Sequence, residues 1–174
     1  MNILAIDPGP EKSAWVYLVD GIPVQSAWED NGRVNVMIAG ECMTASGPEH
    51  LVIEKVMNYG MPSGESVFET VFWTGRFIQS WGSPTAIMLK LLGQKRHTSS
   101  RIPRLDVKVA LCHDAKAKKG NVNQAIKDHY DTINPVGTKN NQGPLYEFAR
   151  KHGPGLTHRW DALAVGLTYL KENE

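Results

Sequence analysis

Residues 2–28 read NILAIDPGPEKSAWVYLVDGIPVQSAW. The run from Asn2 to Ile6 is short and apolar and ends on a carboxylate, Asp7, so it reads as a buried strand with an acid at its exit. Asp7, Pro8, Gly9 and Pro10 form a turn. Ser13 to Val19 reads as a second strand. Asp20-Gly21 is a two-residue hairpin signal, and Ile22 to Trp28 follows as a third strand. This stretch therefore predicts an antiparallel meander of three strands.

The remainder changes character. Asn31 to about Ala45 carries Val34, Ile38 and Cys42 four apart and predicts a helix. Leu51 to Glu54 is another short apolar run ending on an acid. Residues 57–63 make a loop, and a helix over residues 64–81 follows, with Val67, Val71 and Ile78 on its inner side and Glu65 and Glu69 near its start. Thr85 to Lys90 is a candidate fifth strand. Ile102 to Leu111 and Val122 to Tyr130 predict short helices, residues 131–143 a loop, and residues 144–151 another short helix. The last helix opens near Thr157, as N-cap, and runs through Trp160, Leu163, Ala164, Leu167 and Leu170. Three strands, then alternating helices and strands, then a terminal helix define an α/β protein of one domain, residues 1–174.

A chain of 174 residues buries a core without needing disulfides or a structural metal. Cys42 and Cys112 lie far apart with no Cys-x-x-Cys spacing, which excludes a zinc ribbon and fits reduced thiols in a cytosolic protein. No charged leader with a long apolar core precedes Asp7, and no apolar run reaches membrane-spanning length, so neither secretion nor a membrane location is expected. The net charge is +1, but it is unevenly spread. From Lys90 to Lys119 nine basic residues stand against two acids, Asp106 and Asp114, so that stretch carries +7 and the rest is net acidic. A basic segment against an acidic remainder suits a protein that grips phosphates in one place. A solvated lysine-rich surface is the plain alternative.

Asp7 and Glu54 both stand at the exits of apolar strands, where a buried charge needs compensation. If those strands are neighbours, two carboxylates come close, and like charges at that distance favour a cation between them. Oxygen ligands at an open sheet edge suit magnesium or manganese rather than zinc. His158 and Asp161 are three apart on the last helix and so share a face, which the pattern assigns to its polar side. Taken singly, Asp7 could start the turn, Glu54 could end a surface strand, and His158 with Asp161 could cap a helix. Their joint occurrence is what points to a metal site.

These pieces together resemble the RuvC-type Holliday-junction resolvases of the ribonuclease H-like superfamily, in particular the shorter phage forms. The matching segments are IDPG at residues 6–9, VIEKV at 52–56, Val107-Lys108, AKAKKGNV at 115–122, and HRWDALAVGL at 158–167. The resemblance runs from residue 2 to about residue 170. It implies a five-stranded mixed sheet with helices on both faces and a homodimer acting on four-way or branched DNA in the cytoplasm of a bacterial or phage-infected cell. It further implies two Mg2+ or Mn2+ ions per active site and no small-molecule cofactor. Asp7 would be the ligand shared by both ions, and Glu54, His158 and Asp161 would complete their coordination. Two such ions activate a water and steady the leaving 3′-oxygen, giving paired nicks that leave 5′-phosphates.

The resemblance also assigns Lys108, and Lys119 eleven positions later, to phosphate contacts, with Lys119 at the catalytic centre and Lys116 and Lys118 beside it. Met57 occupies the position of the family's junction-stacking aromatic, with Tyr59 two residues on, so either an apolar wedge or an aromatic platform is expected there. Residues 131–153 form an insertion relative to the shorter resolvases. The helix at 64–81 holds more rings than one inner face accommodates (Phe68, Phe72, Trp73, Phe77), so the surplus is either core or a dimer interface. A less selective branched-DNA nuclease, a ribonuclease H-type enzyme and a non-catalytic DNA-binding module remain as alternatives. An actin-like nucleotide binder would need glycine-rich phosphate loops that this sequence lacks.

Overall fold

A computed structural model describes residues 1–41, 47–58, 60, 62–82, 98–130, 136, 138–143, 145–146 and 155–173. The elements in chain order are β1 (Asn2–Asp7), β2 (Lys12–Val19), β3 (Ile22–Asp30), α1 (Asn31–Glu41), β4 (His50–Lys55), α2 (Glu65–Trp81), β5 (Thr98–Pro103), α3 (Arg104–Cys112), α4 (Lys119–His129) and α5 (Leu156–Glu172). The meander forms as the sequence indicates. Asp20 and Gly21 both adopt positive φ, 48° and 80°, as a tight two-residue hairpin turn requires.

The sheet has five strands in the order β3-β2-β1-β4-β5. β2 runs antiparallel to β1 and β3, whereas β4 pairs parallel to β1 and β5 parallel to β4. Side chains on a strand alternate between faces, and this alternation divides the core in two. Leu4, Ile6, Leu51 and Ile53 face α1 and α2, where Val34, Ile38, Phe77 and Trp81 cover them. Ile3, Ala5 and Val52 face the other way, under Val107, Val122, Ile126 and the long run of α5. Helices therefore cover both faces of a mixed sheet.

Three sequence expectations need correction. The fifth strand of the sheet is Thr98–Pro103, and the helix expected from Ile102 begins only at Arg104; the candidate strand at 85–90 lies outside the described residues. The inner stripe of α2 is Thr70, Thr74, Phe77 and Trp81, while Val71 is exposed. Two threonines face inward there because each hydroxyl donates to a carbonyl four residues back, Thr70 to Ser66 and Thr74 to Thr70, which satisfies the polar atom. Finally, α5 is capped by Gly155 rather than Thr157 and is buried without interruption from Trp160 to Thr168. It is a central helix with no polar side at Asp161. The helix expected at 144–151 falls largely outside the described residues. Among the described residues no helix is long and apolar enough to cross a membrane.

Gly166 sets how closely α5 approaches the sheet. A Cβ at that position would stand 2.7 Å from Leu18 Cδ1 and 3.0 Å from the Cβ of Ala5. The helix can lie on β1 and β2 only because position 166 has no side chain.

Candidate active site

Ile6 pairs with Ile53 across the parallel β1–β4 ladder, and both face α1 and α2. The next residue on each strand must then point to the opposite face. Those residues are Asp7 and Glu54, so the sheet's alternation aims both carboxylates at α5. The turn after Asp7 is tied down from beneath. Buried Ser13 donates to Asn31 Oδ1 at 2.6 Å, Gly9 N–H donates to Ser13 Oγ at 3.2 Å, and Asn31 Nδ2 donates to the Gly9 carbonyl at 3.0 Å.

From α5, His158 and Asp161 meet these strand ends. His158 Nδ1 lies 3.0 Å from Asp7 Oδ2. One ligand atom from each of Asp7, His158 and Asp161 falls within 4.8 Å of the others, a spacing that could hold a metal ion. Glu54 stands beside this group and is linked to it by Arg104, whose Nη1 donates to Glu54 Oε2 at 3.2 Å and Nη2 to Asp161 Oδ1 at 2.7 Å. Lys119 donates to the other oxygen of Asp161.

Burial and crowding shift the acids. Asp7 is pushed from its ordinary 3.8 up to about 6, first by burial and then by the charge of Asp161, against the opposing pull of His158 and Arg104. Glu54 is pushed from 4.5 up to about 7, first by burial and then by Asp7, while Arg104 opposes. Burial works against the charge on Arg104, but Glu54 and Asp161 outweigh it and hold the guanidinium above its ordinary value. Buried oxygens that resist ionising and are crowded by like charge have the chemistry of a cation site. The donor set, carboxylates with one imidazole, suits a divalent ion.

The His158 ring is held from its side. Trp28 lies parallel to it, with ring centroids 6.2 Å apart and planes 8° from parallel. The approach of Trp28 depends on Gly155, which sits at φ 68°, the left-handed region, and whose Cβ would overlap Trp28 at 2.1 Å. Lys12 places its ammonium 4.5 Å from the Trp28 ring centre. Lys12, Trp28, Thr70, His158 and Asp7 line a groove of about 500 Å³ leading to the carboxylates.

Of the expected DNA contacts, Lys119 reaches the site itself. Lys116 and Lys118 are exposed on the connection from α3 to α4, and Lys108 is half-buried on α3, one turn beyond Arg104. Met57 is 40% exposed just after β4; Tyr59 lies outside the described residues. Arg104 and Trp28 are not singled out by the sequence, and Lys12, outside the basic stretch, is expected on charge alone to matter much less than Lys108 or Lys119. Arg104 counted only as one charge in a basic stretch, because its nearness to Glu54 depends on where β5 runs. Lys12 lies outside that stretch and yet lines the groove.

The strand order, the helices on both faces and the acids at the carboxyl edge of β1 and β4 define a ribonuclease H-like α/β fold. By sequence the chain matches no family profile and no curated protein. Its structure does have solved neighbours. RuvC of Thermus thermophilus aligns over 99% of this chain and 95% of its own, with a TM-score of 0.66 at 16% identity. The same protein in complex with a Holliday junction substrate aligns over the same shares, with a TM-score of 0.63 and 16% identity. The chain shares the RuvC fold over nearly its whole length.

Proposed function

We propose that this protein is a divalent-metal-dependent endonuclease that resolves four-way DNA junctions. The observation that carries the reading is the convergence of Asp7, His158 and Asp161, with Glu54 adjoining, on a fold whose Thermus neighbour is known in complex with a Holliday junction substrate. Asp7, Glu54, His158 and Asp161 would hold two Mg2+ or Mn2+ ions, which when bound supply an activated water and charge neutralisation at the leaving 3′-oxygen.

The chain's own residues supply the rest. Asp7 and Glu54, both reluctant to ionise, become ligands more readily once a cation compensates them. Trp28 keeps the His158 ring facing Asp7. Arg104, Lys119 and Lys12 present positive charge around the carboxylates, where a phosphate must come close. Lys116, Lys118 and Lys108 extend that charge along α3 and the segment after it, and Met57, exposed just after β4, would serve as an apolar wedge for an opened crossover, or Tyr59 as a stacking platform. In this reading the chain works as a homodimer, cuts two strands symmetrically and leaves 5′-phosphates.

Asp7→Asn tests this most directly. It keeps the shape of the side chain and removes the charge a cation needs. Cleavage of a synthetic four-way junction in Mg2+ should be abolished, while binding of the same junction in a gel shift should be retained. Near wild-type cleavage by Asp7→Asn would refute the site. Preference for an RNA–DNA hybrid duplex over the junction would redirect the substrate to the ribonuclease H type.

A further inference from the structure

Arg104 stands inside the carboxylate cluster, and the fold explains how it gets there. β5 lies beside β4 with Ile102 opposite Glu54, and Arg104 follows two residues later as the first residue of α3. This register delivers its guanidinium to Glu54 and, across the site, to Asp161. Lys119 occupies the second oxygen of Asp161. Both oxygens of Asp161 and one of Glu54 thus already have side-chain cations as partners. The two cations are not equivalent. The Lys119 side chain is 42% exposed and the Arg104 side chain 26%, so Lys119 gives way easily, whereas Arg104 is embedded and bridges two acids. A guanidinium keeps its charge at every working pH, and its fork fits carboxylates and phosphates equally well.

We propose that Arg104 is a built-in counter-ion that competes with the second divalent cation. It holds Glu54 and Asp161 in the DNA-free protein and releases Glu54 when a DNA phosphate offers the guanidinium another partner. This rests on the metal-site reading above. The charges set the order of events. With all three ionised, the carboxylates of Asp7, Glu54 and Asp161 face Arg104 and Lys119, which leaves at most one net negative charge. One divalent ion at Asp7, His158 and Asp161 already reverses that sign. A second, with Arg104 still in place, would crowd positive charge into a partly buried space with nothing to offset it. A phosphate brings the missing negative charge and at the same moment draws Arg104 off Glu54. Arg104 is therefore a positioning residue that couples loading of the site to arrival of substrate.

The test is Mn2+ binding to the whole protein without DNA, followed by calorimetry, with melting temperatures measured in EDTA and in Mn2+. Wild type is expected to bind one Mn2+ per chain and to take up a second only weakly. Arg104→Gln should bind the second Mn2+ about tenfold tighter, a typical size for coupling between two sites. It should also melt lower than wild type in EDTA and gain more on adding Mn2+. Arg104→Lys, which keeps the charge but cannot bridge both acids, should fall between the two and covers the case in which the glutamine variant folds poorly. Equal or weaker Mn2+ binding in both variants would overturn the proposal, as would a melting temperature lowered equally in EDTA and Mn2+, the mark of a merely structural arginine. If neither wild type nor Arg104→Gln binds any Mn2+, the metal-site reading fails, and this inference with it.

Discussion

Two carboxyl groups that ionise late give the site a pH signature. Asp7 rises from 3.8 to about 6 and Glu54 from 4.5 to about 7 in the folded chain, because burial opposes their charge and each stands near other acids. Between about pH 4 and 7 the native state therefore holds protons that the unfolded chain has released, so metal-free stability falls as pH rises through that window. Below it both states are protonated and the penalty vanishes; above it the penalty is complete. Melting in EDTA from pH 5 to 8 should show a steeper fall for wild type than for Asp7→Asn or Glu54→Gln. Added Mg2+ should restore more stability at pH 8 than at pH 5.5, since ligation needs the ionised forms. Parallel curves for all three proteins would mean that these acids do not titrate as described. The grouping of Asp7 with His158 and Asp161 was legible beforehand from their joint occurrence and the family resemblance, and the i, i+3 spacing put the pair on one face without saying where that face points. Arg104 was not legible: nothing local marks it, and it becomes a partner of Glu54 only through the pairing of β4 with β5.

At the scale of elements, two glycines on and before α5 separate packing from chemistry. Gly166→Ala would push a methyl against Leu18 and Ala5, with 2.7 Å and 3.0 Å available, and overpacking of that kind costs about 1–3 kcal/mol. Its effect should appear in urea denaturation and leave cleavage by the folded fraction near wild type. Gly155→Ala strains a left-handed φ and collides with Trp28 at 2.1 Å. It should lose stability and also lose cleavage beyond what unfolding explains, because Trp28 can no longer stack on His158. A folded Gly155→Ala protein that cuts normally would show that this stack does not matter. The meander, β4, α1, α2 and α4 were readable from alternation and periodicity to within a few residues. β5 was not, since Thr98 to Pro103 has only Ile102 buried and offers no apolar run; it is an edge strand held by its neighbour's backbone. α5 misled in the opposite sense. A helix buried on every side has no polar face to read, so the place of Asp161 followed from the strands it meets rather than from its own pattern.

At the scale of the whole molecule, the outer surface of α2 asks for a partner. Phe68 is 66% exposed, Phe72 53% and Val71 52%. The rings of Phe72 and Trp73 meet edge to face, with Arg76 near both. Phe68, Val71, Phe72 and Arg76 lie three and four apart and so form one stripe, on the side of α2 away from Phe77 and Trp81, while Trp73 sits at its edge and packs inward against Phe77. Of the two readings the sequence allowed for the surplus rings, core and interface, the core is excluded for Phe68 and Phe72 by this exposure. A four-way junction is twofold symmetric and needs two nicks, one from each of two active sites, so a twofold pair of chains would match it. Pairing through α2 would keep the groove at Trp28 and Lys12 open on each chain, since the α2 residue that lines it, Thr70, is on the inner side of the helix and not in the exposed stripe. We therefore expect a homodimer in light scattering, and expect Phe68→Arg or Phe72→Arg to shift it to monomer. Because those rings are exposed, either variant should fold and melt like a wild-type monomer. It should still bind metal, yet nick the junction singly rather than in pairs. A folded variant that stays dimeric would take these rings out of the interface, and a monomeric wild type that makes paired nicks even on DNA would remove the need for it.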